Sequence, residues 1–407
     1  MSAPGTSGYD PFSKDVLRDP WPAYAALRKH CPVHFHPDFD PPFYTLSRHV
    51  DVRAALADAE LFSIRYGQSP QYQRPAGLVN DPPEHTPFRQ LFNRALTPRM
   101  VSRLSDRVRT LGMELLDAMQ PAGRADFQYA YASPLPTSII AELLGVPAQD
   151  HRRFRRMSDD LTATYNEPDP AVSAPPRHAF DAYFQRTIDR HRQSLAEAGI
   201  DRPGPEAAGS VLPDDLLSRF VVGEVDGHRL TDRDLHTMLL LLLLGGNETS
   251  TALITNLLWR LLERRERWEA VRADPSLVEV AVEESLRHDS PVLGLFRTPT
   301  RDQRLHGVTI PAKAKVMLLF ASANRDAEVF DDPEAFRLDR DPEEIRRHLM
   351  SFGFGAHYCP GAALARLEAR ITLELLLERL PDLRLDGEPT RIVPFNLWGR
   401  ARLPLAW

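Results

Sequence analysis

The stretch from Thr231 to about Leu262 constrains the fold more than any other part of the chain. Thr231 has the character of a helix N-cap, and Asp234 three residues on can reach back as its acidic partner. The apolar pattern then continues to about Leu262, a rod of ~45–50 Å at 1.5 Å per residue. A helix this long and this apolar must cross the middle of the molecule. Its run Leu239 to Leu244 is broken by Gly245-Gly246-Asn247-Glu248-Thr249-Ser250. Two glycines inside a helix cost roughly 1 kcal/mol each relative to alanine, and they clear one face of side chains. An acid and an alcohol in an otherwise apolar core point to a proton path into a dry cavity. A helix kink whose hydroxyls bond back to the preceding turn would account for the same residues.

Most of the remaining chain reads as helix, over 21–29, 50–57, 87–96, 101–119, 135–144, 151–164 and 179–196. Strand patterns are few and short, at 34–35, 43–46, 294–298, 316–319 and 402–405, so the class is mainly α with small β-sheets. A proline-rich loop is expected over 167–176 and a mobile surface insertion over 199–213, either as spacers or as lids. No repeat or linker divides the chain, which is read as one domain over 1–407. A net charge of −6 excludes any general attraction to nucleic acid or an anionic membrane. The first forty residues lack a signal pattern, and the uninterrupted apolar run 238–244 is far short of the ~20 residues of a membrane span. Two cysteines, Cys31 and Cys359, argue for a reducing compartment and a soluble, cytoplasmic protein.

Cys359 closes the run Ser351-Phe352-Gly353-Phe354-Gly355-Ala356-His357-Tyr358-Cys359-Pro360-Gly361, ahead of an amphipathic segment over 364–380. A thiol at the mouth of a helix meets free N–H groups and a favourable dipole, which stabilise the metal-binding thiolate. The flanking glycines let backbone approach something bulky, and His357 adds a polar group to the same space. An inert buried cysteine is the plain alternative. Glu284 and Arg287 lie three apart on one helical face, a common surface arrangement of little weight alone. His85 and Arg89 lie four apart at a helix start within Asp81–Arg89. With Arg297 and His357 they make four donor groups able to converge on carboxylates, although singly each also reads as a surface residue.

Together and in this order, these segments resemble the bacterial haem-thiolate monooxygenases, the cytochrome P-450 family, over about residues 10–407. The resemblance rests on Phe352-x-x-Gly355-x-His357-x-Cys359-x-Gly361, on Gly245-Gly246-x-Glu248-Thr249, on Glu284 with Arg287, and on the Asp81–Arg89 segment. It implies the family's fold, with haem b (iron protoporphyrin IX) between the long central helix and the helix after the cysteine. By the same resemblance Cys359 is the axial iron ligand, a role the family exemplifies. The Gly361 N–H helps hold its charge, and Phe352 packs over the sulfur. His85, Arg89, Arg297 and His357 bind the haem propionates. Glu284 and Arg287, with Arg337 or Arg340, form a buried brace. Glu248 and Thr249 deliver protons during oxygen activation. Gly245 stands where alanine is more usual, Ser250 where a second threonine is frequent, and Pro360 where other apolar residues are common. A proline in the first turn of a helix is structurally easy.

The resemblance further implies insertion of one atom of O₂ into a hydrophobic small organic molecule. The pocket is expected from 66–79, 240–249, 292–296 and 395–398, with Leu240, Leu244, Gly245, Leu293, Leu295, Phe296, Phe395, Leu397 and Trp398 as its members. Ordinary core packing is the alternative for such side chains. Electrons are expected from a separate ferredoxin and its NAD(P)H-dependent reductase, since no flavin or iron–sulfur segment is fused to these motifs. Arg99, Arg103, Arg107, Arg346 and Arg347 are candidates for docking that acidic carrier. The protein is expected to be a monomer. A peroxide-driven variant and a catalytically idle haem protein are the competing readings, and the acid–alcohol pair weighs against both.

Overall fold

A computed structural model of the chain describes residues 9–73, 77–95, 98–164 and 169–407. The larger helices are α1 (His85–Ala95), α2 (Pro98–Met119), α3 (Pro134–Leu143), α4 (His151–Thr164), α5 (Pro170–Glu197), α6 (Asp232–Leu262), α7 (Leu277–His288) and α8 (Ala362–Arg379). Small sheets lie to one side, and the class is mainly α.

The 31-residue α6 is the axis of the molecule. Its capping box is complete: the Asp234 N–H donates to the Thr231 hydroxyl at 3.2 Å, and the Thr231 N–H donates to the Asp234 carboxylate at 3.0 Å. By length and composition this helix could cross a membrane. Its second half is instead enclosed by protein, with Leu253, Ile254, Leu257, Leu258 and Leu261 all 1 % exposed or less. Each such side chain contributes about 1.5–3 kcal/mol. The helix continues through Gly245-Gly246 without a break. A Cβ on Gly246 would stand 2.7 Å from Ile140 Cδ1 of α3, whereas one on Gly245 would meet nothing within 4 Å. Gly246 therefore permits close helix packing, and Gly245 clears space beside the helix. The Thr249 hydroxyl donates to the Gly245 carbonyl at 2.6 Å, the back-bonding arrangement expected of an alcohol in mid-helix.

Five strands form the main sheet: β1 (Val33–His36), β2 (Phe43–Leu46), β3 (Phe62–Ser63), β4 (Leu295–Pro299) and β5 (Lys315–Leu318), in the order β1-β2-β5-β4-β3. β5 runs parallel to β2, with Lys315 opposite Phe43, and antiparallel to β4, with Leu318 opposite Leu295. Period-two alternation sends Phe296 to the face opposite Leu295 and Arg297. Phe296 packs edge-on against Phe43, with ring centroids 5.2 Å apart.

Three local expectations are corrected. The proline-rich loop is largely helix: Asp169 accepts the Ala171 N–H at 2.8 Å, and α5 runs from Pro170 through Pro175 and Pro176. An aspartate cap and a proline at the first helical position start the helix, while residues 167–168 lie outside the described residues. The 199–213 segment is tied to the core instead of standing off it. It contains a turn at Pro205–Ala207, and Ala207 and Leu212 are buried. The 402–405 strand is two, Arg400–Arg402 and Pro404–Ala406, because the Leu403 N–H between them donates to the Asp126 carboxylate at 3.0 Å.

Glu284 and Arg287 are completely buried on α7. Arg287 places two N–H groups on Glu284, both at 2.7 Å, and the others on the carbonyls of Asn324, Pro333 and Ala335. All five donors of a guanidinium are thereby used. Glu284 also accepts the Arg340 Nε–H at 3.3 Å and the Arg337 backbone N–H at 2.8 Å. Arg340 is thus the third side chain of the brace, and the Arg337 guanidinium turns to Asp339. Replacing Arg287 with methionine strands a buried carboxylate, a loss of about 3–5 kcal/mol. Arg287→Lys is expected to lose most of the same stability, because an ammonium cannot satisfy the planar five-donor arrangement. Urea unfolding of the two variants beside the parent protein checks both.

Candidate functional site

The brace continues directly into the cysteine loop. Asn324, whose carbonyl Arg287 holds, donates from its side chain to the Ser351 hydroxyl at 2.7 Å and accepts the Met350 N–H at 2.7 Å. Ser351 donates in turn to the Leu286 carbonyl at 2.6 Å. Gly353 and Gly355 take φ of +70° and +72°, a region that side chains disfavour. A Cβ on Gly355 would also lie 2.9 Å from the Leu56 carbonyl oxygen. The loop closes with the Cys359 N–H on the Phe352 carbonyl at 2.9 Å. Cys359 thus reaches the start of α8 half-buried. Burial pushes its thiol up, while the Gly361 and Ala362 N–H groups and the guanidinia of Arg89 and Arg366 pull the other way. Such a sulfur is neutral alone and becomes an anion when a metal cation replaces its proton. Beside it, Phe352 carries the Arg366 guanidinium over its ring at 4.5 Å. Glu283 holds that guanidinium at 2.7 and 3.0 Å.

A cavity lies between this loop and α6, and Cys359, Gly361, Phe352, Gly245 and Thr249 all line it. His85 and Arg89 of α1, Arg297 of β4 and His357 of the cysteine loop also line it, so the four donors do converge. The two imidazoles meet edge to face, with centroids 4.5 Å apart. The Nε2 atoms of both are buried without a hydrogen-bond partner. Burial holds His357 down to about 3, with Arg297, His85 and Arg89 adding repulsion. Burial also lowers His85, again with Arg89 adding repulsion. Arg297 is 3 % exposed and is brought down to about 10 by burial. Its hydrogen bond is to the Phe296 carbonyl at 2.8 Å. Asp81, the acid that opposes this lowering, accepts the Ser63 hydroxyl at 2.5 Å and the Ile64 N–H at 2.8 Å. Arg89 donates to the Tyr358 carbonyl at 2.5 Å.

Donors packed together with so little protein anion call for an anionic guest that accepts hydrogen bonds. Among the described residues no three His, Cys, Asp or Glu side chains form a metal site, so Cys359 alone could hold a metal that arrives inside a larger ligand. A dicarboxylate macrocycle carrying its own iron fits this donor set, and haem b is such a group.

Thr249 lines the cavity, but Glu248 does not. Glu248 is half-buried, and burial together with Asp159 of α4 pushes its carboxyl up. The preceding residues set this facing: Asn247 donates to the Ser158 hydroxyl at 2.7 Å and accepts the Thr137 hydroxyl at 2.6 Å. Acid and alcohol are therefore consecutive in sequence but point to different sides of α6.

Of the nine expected pocket residues, only Gly245 and Leu295 line the cavity. Leu240 and Leu244 pack on the main core, leaving Leu241 and Leu242 to face the space. Leu293, Phe296, Phe395 and Trp398 join a separate core with Tyr24 and Phe43. The Trp398 indole N–H donates to Asp289 at 3.0 Å. Leu397 pairs by backbone with Val292, which lines the cavity in its place. Ile140, Leu143 and Phe320 complete the apolar wall and come from segments that carried no such expectation. In the 66–79 stretch Gln68, Leu78 and Val79 line the cavity, and residues 74–76 lie outside the described residues. The candidate docking arginines are also less free than expected. Arg107 is chelated by Glu142, and Arg346 by Glu279, Glu283 and Glu343. Arg347 is exposed, and the side chains of Arg99 and Arg103 lie outside the described residues.

Sequence reasoning missed Glu368 on α8. It is 1 % exposed, and neither carboxylate oxygen has a hydrogen-bond partner. Burial pushes it up to about 8, opposed by the nearby hydroxyl of Ser250, which lines the cavity. The available signal was its phase: Leu364, Glu368, Ile371 and Leu375 recur at helical spacing on one buried stripe.

A family model described as Cytochrome P450 matches residues 42–381. The Streptomyces venezuelae protein named Cytochrome P450 monooxygenase PikC is 38 % identical over 411 residues, covering 97 % of this chain and 93 % of its own. The Vitamin D(3) 25-hydroxylase of Pseudonocardia autotrophica is 35 % identical, covering 95 % and 92 %. The solved structure of Cytochrome P450 CYP109Q5 from Chondromyces apiculatus superposes with a TM-score of 0.84 at 33 % identity, covering 98 % of this chain and 97 % of that one.

A raised carboxyl makes stability depend on pH in a fixed direction. The folded chain keeps the Glu368 proton that the unfolded chain loses at its ordinary carboxylate value. Stability is therefore full in acid, falls as pH rises from about 4.5, and levels off near the folded value of about 8. The total loss is of order 3–5 kcal/mol. Glu368→Gln should remove that part of the slope. Urea unfolding of parent and variant at a series of pH values checks the difference between the two curves.

Proposed function

Because the chain belongs to the cytochrome P450 family, and so is a monooxygenase that incorporates one atom of O₂, we propose that Cys359 is the sulfur ligand of its haem and that a hydrophobic small molecule occupies the space beside Gly245. The observation that carries this reading is the convergence of His85, Arg89, Arg297 and His357 next to Cys359, with two imidazole Nε2 atoms buried and unpartnered. Haem b, which members of the family bind, supplies the oxygen-activating redox chemistry when bound.

The chain's own residues do the rest. The Cys359 sulfur holds the iron as a thiolate, and the Gly361 and Ala362 N–H groups stabilise its charge. Phe352 covers the sulfur, and the four donors bind the two propionates. Gly245 carries no side chain and leaves room beside the helix. The Thr249 hydroxyl has its proton on the Gly245 carbonyl and so offers the cavity an oxygen that accepts and positions a proton donor, while Glu248 stores a proton on the Asp159 side of α6. A carboxyl raised by burial is a suitable store, because it keeps its proton closer to neutral pH. Leu241, Leu242, Ile140, Val292 and Leu295 exclude water and favour an apolar substrate. One relative is named for hydroxylating vitamin D(3), which agrees with an apolar substrate here.

Two cysteines in the sequence are too few for the four thiolates of a ferredoxin cluster. On this reading electrons come from a separate ferredoxin and its NAD(P)H-dependent reductase, to a cytoplasmic, monomeric, single-domain enzyme. Arg347 is the docking candidate left exposed and without an ion pair among the described residues.

Reduced protein under carbon monoxide is expected to show the absorption band diagnostic of a thiolate ligand, and Cys359→Ser to abolish it. Retention of that band by the serine variant would reject the assignment. Thr249→Ala should keep the band and the reduction rate but lower product formed per O₂ consumed by about 10²-fold. Parallel oxygen-electrode and product assays with a surrogate ferredoxin read that ratio.

A further inference from the structure

We propose that the substrate is electrically neutral, with one hydrogen-bonding oxygen on an apolar skeleton, and that Gln68 recognises that oxygen. This rests on the monooxygenase site assigned above and narrows its substrate class.

The cavity's polar side chains divide cleanly. His85, Arg89, Arg297, His357 and Cys359 belong to the cofactor. Thr249 donates to the Gly245 carbonyl and Ser351 to the Leu286 carbonyl. Ser250 lies against Glu368. Gln68 remains, a cavity-lining residue whose amide makes no hydrogen bond among the described residues. It can donate to a carbonyl and accept from a hydroxyl. Among the described residues no aspartate or glutamate lines the cavity, so an ammonium would have no counter-ion there. Among the described residues the guanidinia that line the cavity are those of Arg89 and Arg297, for which a carboxylate would have to compete with the cofactor. Either charge would be buried unpaired, at a cost of several kcal/mol.

Gln68 is also held in place from both sides. The Phe296 N–H donates to its carbonyl at 3.1 Å, joining it to the strand that carries Leu295 and Arg297. The preceding turn needs Gly67 at φ +85° and closes with the Gly67 N–H on the Ile64 carbonyl at 2.8 Å. Lys315 of β5, with no exposed surface, inserts its ammonium beneath this turn. It donates to the Tyr66 carbonyl at 2.7 Å and the Gly67 carbonyl at 3.3 Å. The Tyr72 ring lies 5.0 Å from that ammonium, and the Tyr72 hydroxyl donates to the Lys313 carbonyl at 2.7 Å. Burying an ammonium is unfavourable, and here it fixes the two residues that immediately precede Gln68. Preorganisation of this kind raises affinity by lowering the ordering cost of binding. Lys315 is thus a positioning residue for Gln68.

Calorimetric titration of the haem-loaded protein tests this with neutral monoketones of monoterpene, sesquiterpene and steroid skeletons. Each is paired with its deoxygenated hydrocarbon and with amine and carboxylate derivatives at the same carbon. The parent protein should bind at least one ketone about tenfold more tightly than its hydrocarbon partner and than either charged partner. Gln68→Leu should bring that ratio close to one by weakening the ketone. Gln68→Glu should shift the preference to the amine. Lys315→Met should reduce the ketone preference without changing hydrocarbon affinity. An unchanged ratio in Gln68→Leu, charged partners bound as tightly as the ketone, or no neutral ketone bound at all would each overturn the proposal. The carbon monoxide band of each protein separates the cases: a parent protein lacking it rejects the haem-site assignment itself, whereas a normal band with no ketone preference rejects only the role of Gln68.

Discussion

Arg287 holds five oxygens at once, and the loop that carries the Cys359 sulfur is anchored through it. Two of those oxygens belong to Glu284 one turn away on the same helix, and one is the carbonyl of Asn324. Asn324 grips Met350 and Ser351, from which the glycine-rich loop proceeds to Cys359. From the buried ion pair through Asn324 to Met350 and Ser351 this chain of bonds has no exposed link. A buried pair is weak evidence of net stability, since desolvation offsets attraction. Here its structural consequence is definite: through Asn324 it anchors the start of the cysteine loop.

The same interior holds charges that the protein leaves unbalanced. Around Cys359, two imidazoles are kept neutral by burial and by each other's neighbours, and Arg297 is lowered by burial. The contrast with Arg287 separates the two roles. Where every donor finds a protein oxygen, the charge is structural. Where buried donors have no partner, the site is built for a ligand that brings its own acceptors. Glu368 is also buried without a partner, and burial raises its carboxyl near the cavity-lining Ser250.

What was legible in the sequence was mostly local. The capping box of Thr231 and Asp234, the length of α6, the mainly α class and the glycine–cysteine loop all follow from chemistry within a few residues. The resemblance drawn from those motifs agrees with the family to which the chain belongs. Pocket membership was poorly legible. Phe296 was expected beside the substrate, as Leu295 was, from the resemblance over 292–296, yet alternation along a strand sends neighbours to opposite faces. Leu240 and Leu244 face away for the helical version of the same reason. The prolines at 175 and 176 were read as part of a loop, yet Asp169 caps a helix that runs through both.

By itself the sequence determined which groups are available: one thiol in a glycine-rich turn, an acid–alcohol pair in a long apolar helix, and two histidines and two arginines at wide separations. Spacing along the chain sets local geometry, so those motifs could be read directly. Only the tertiary structure decided that the four donors meet, that Glu248 and Thr249 look to different sides, and that Gln68 is the amide left free at the cavity wall. Those outcomes depend on how strands and helices from distant segments pack, and packing is settled by the whole core at once.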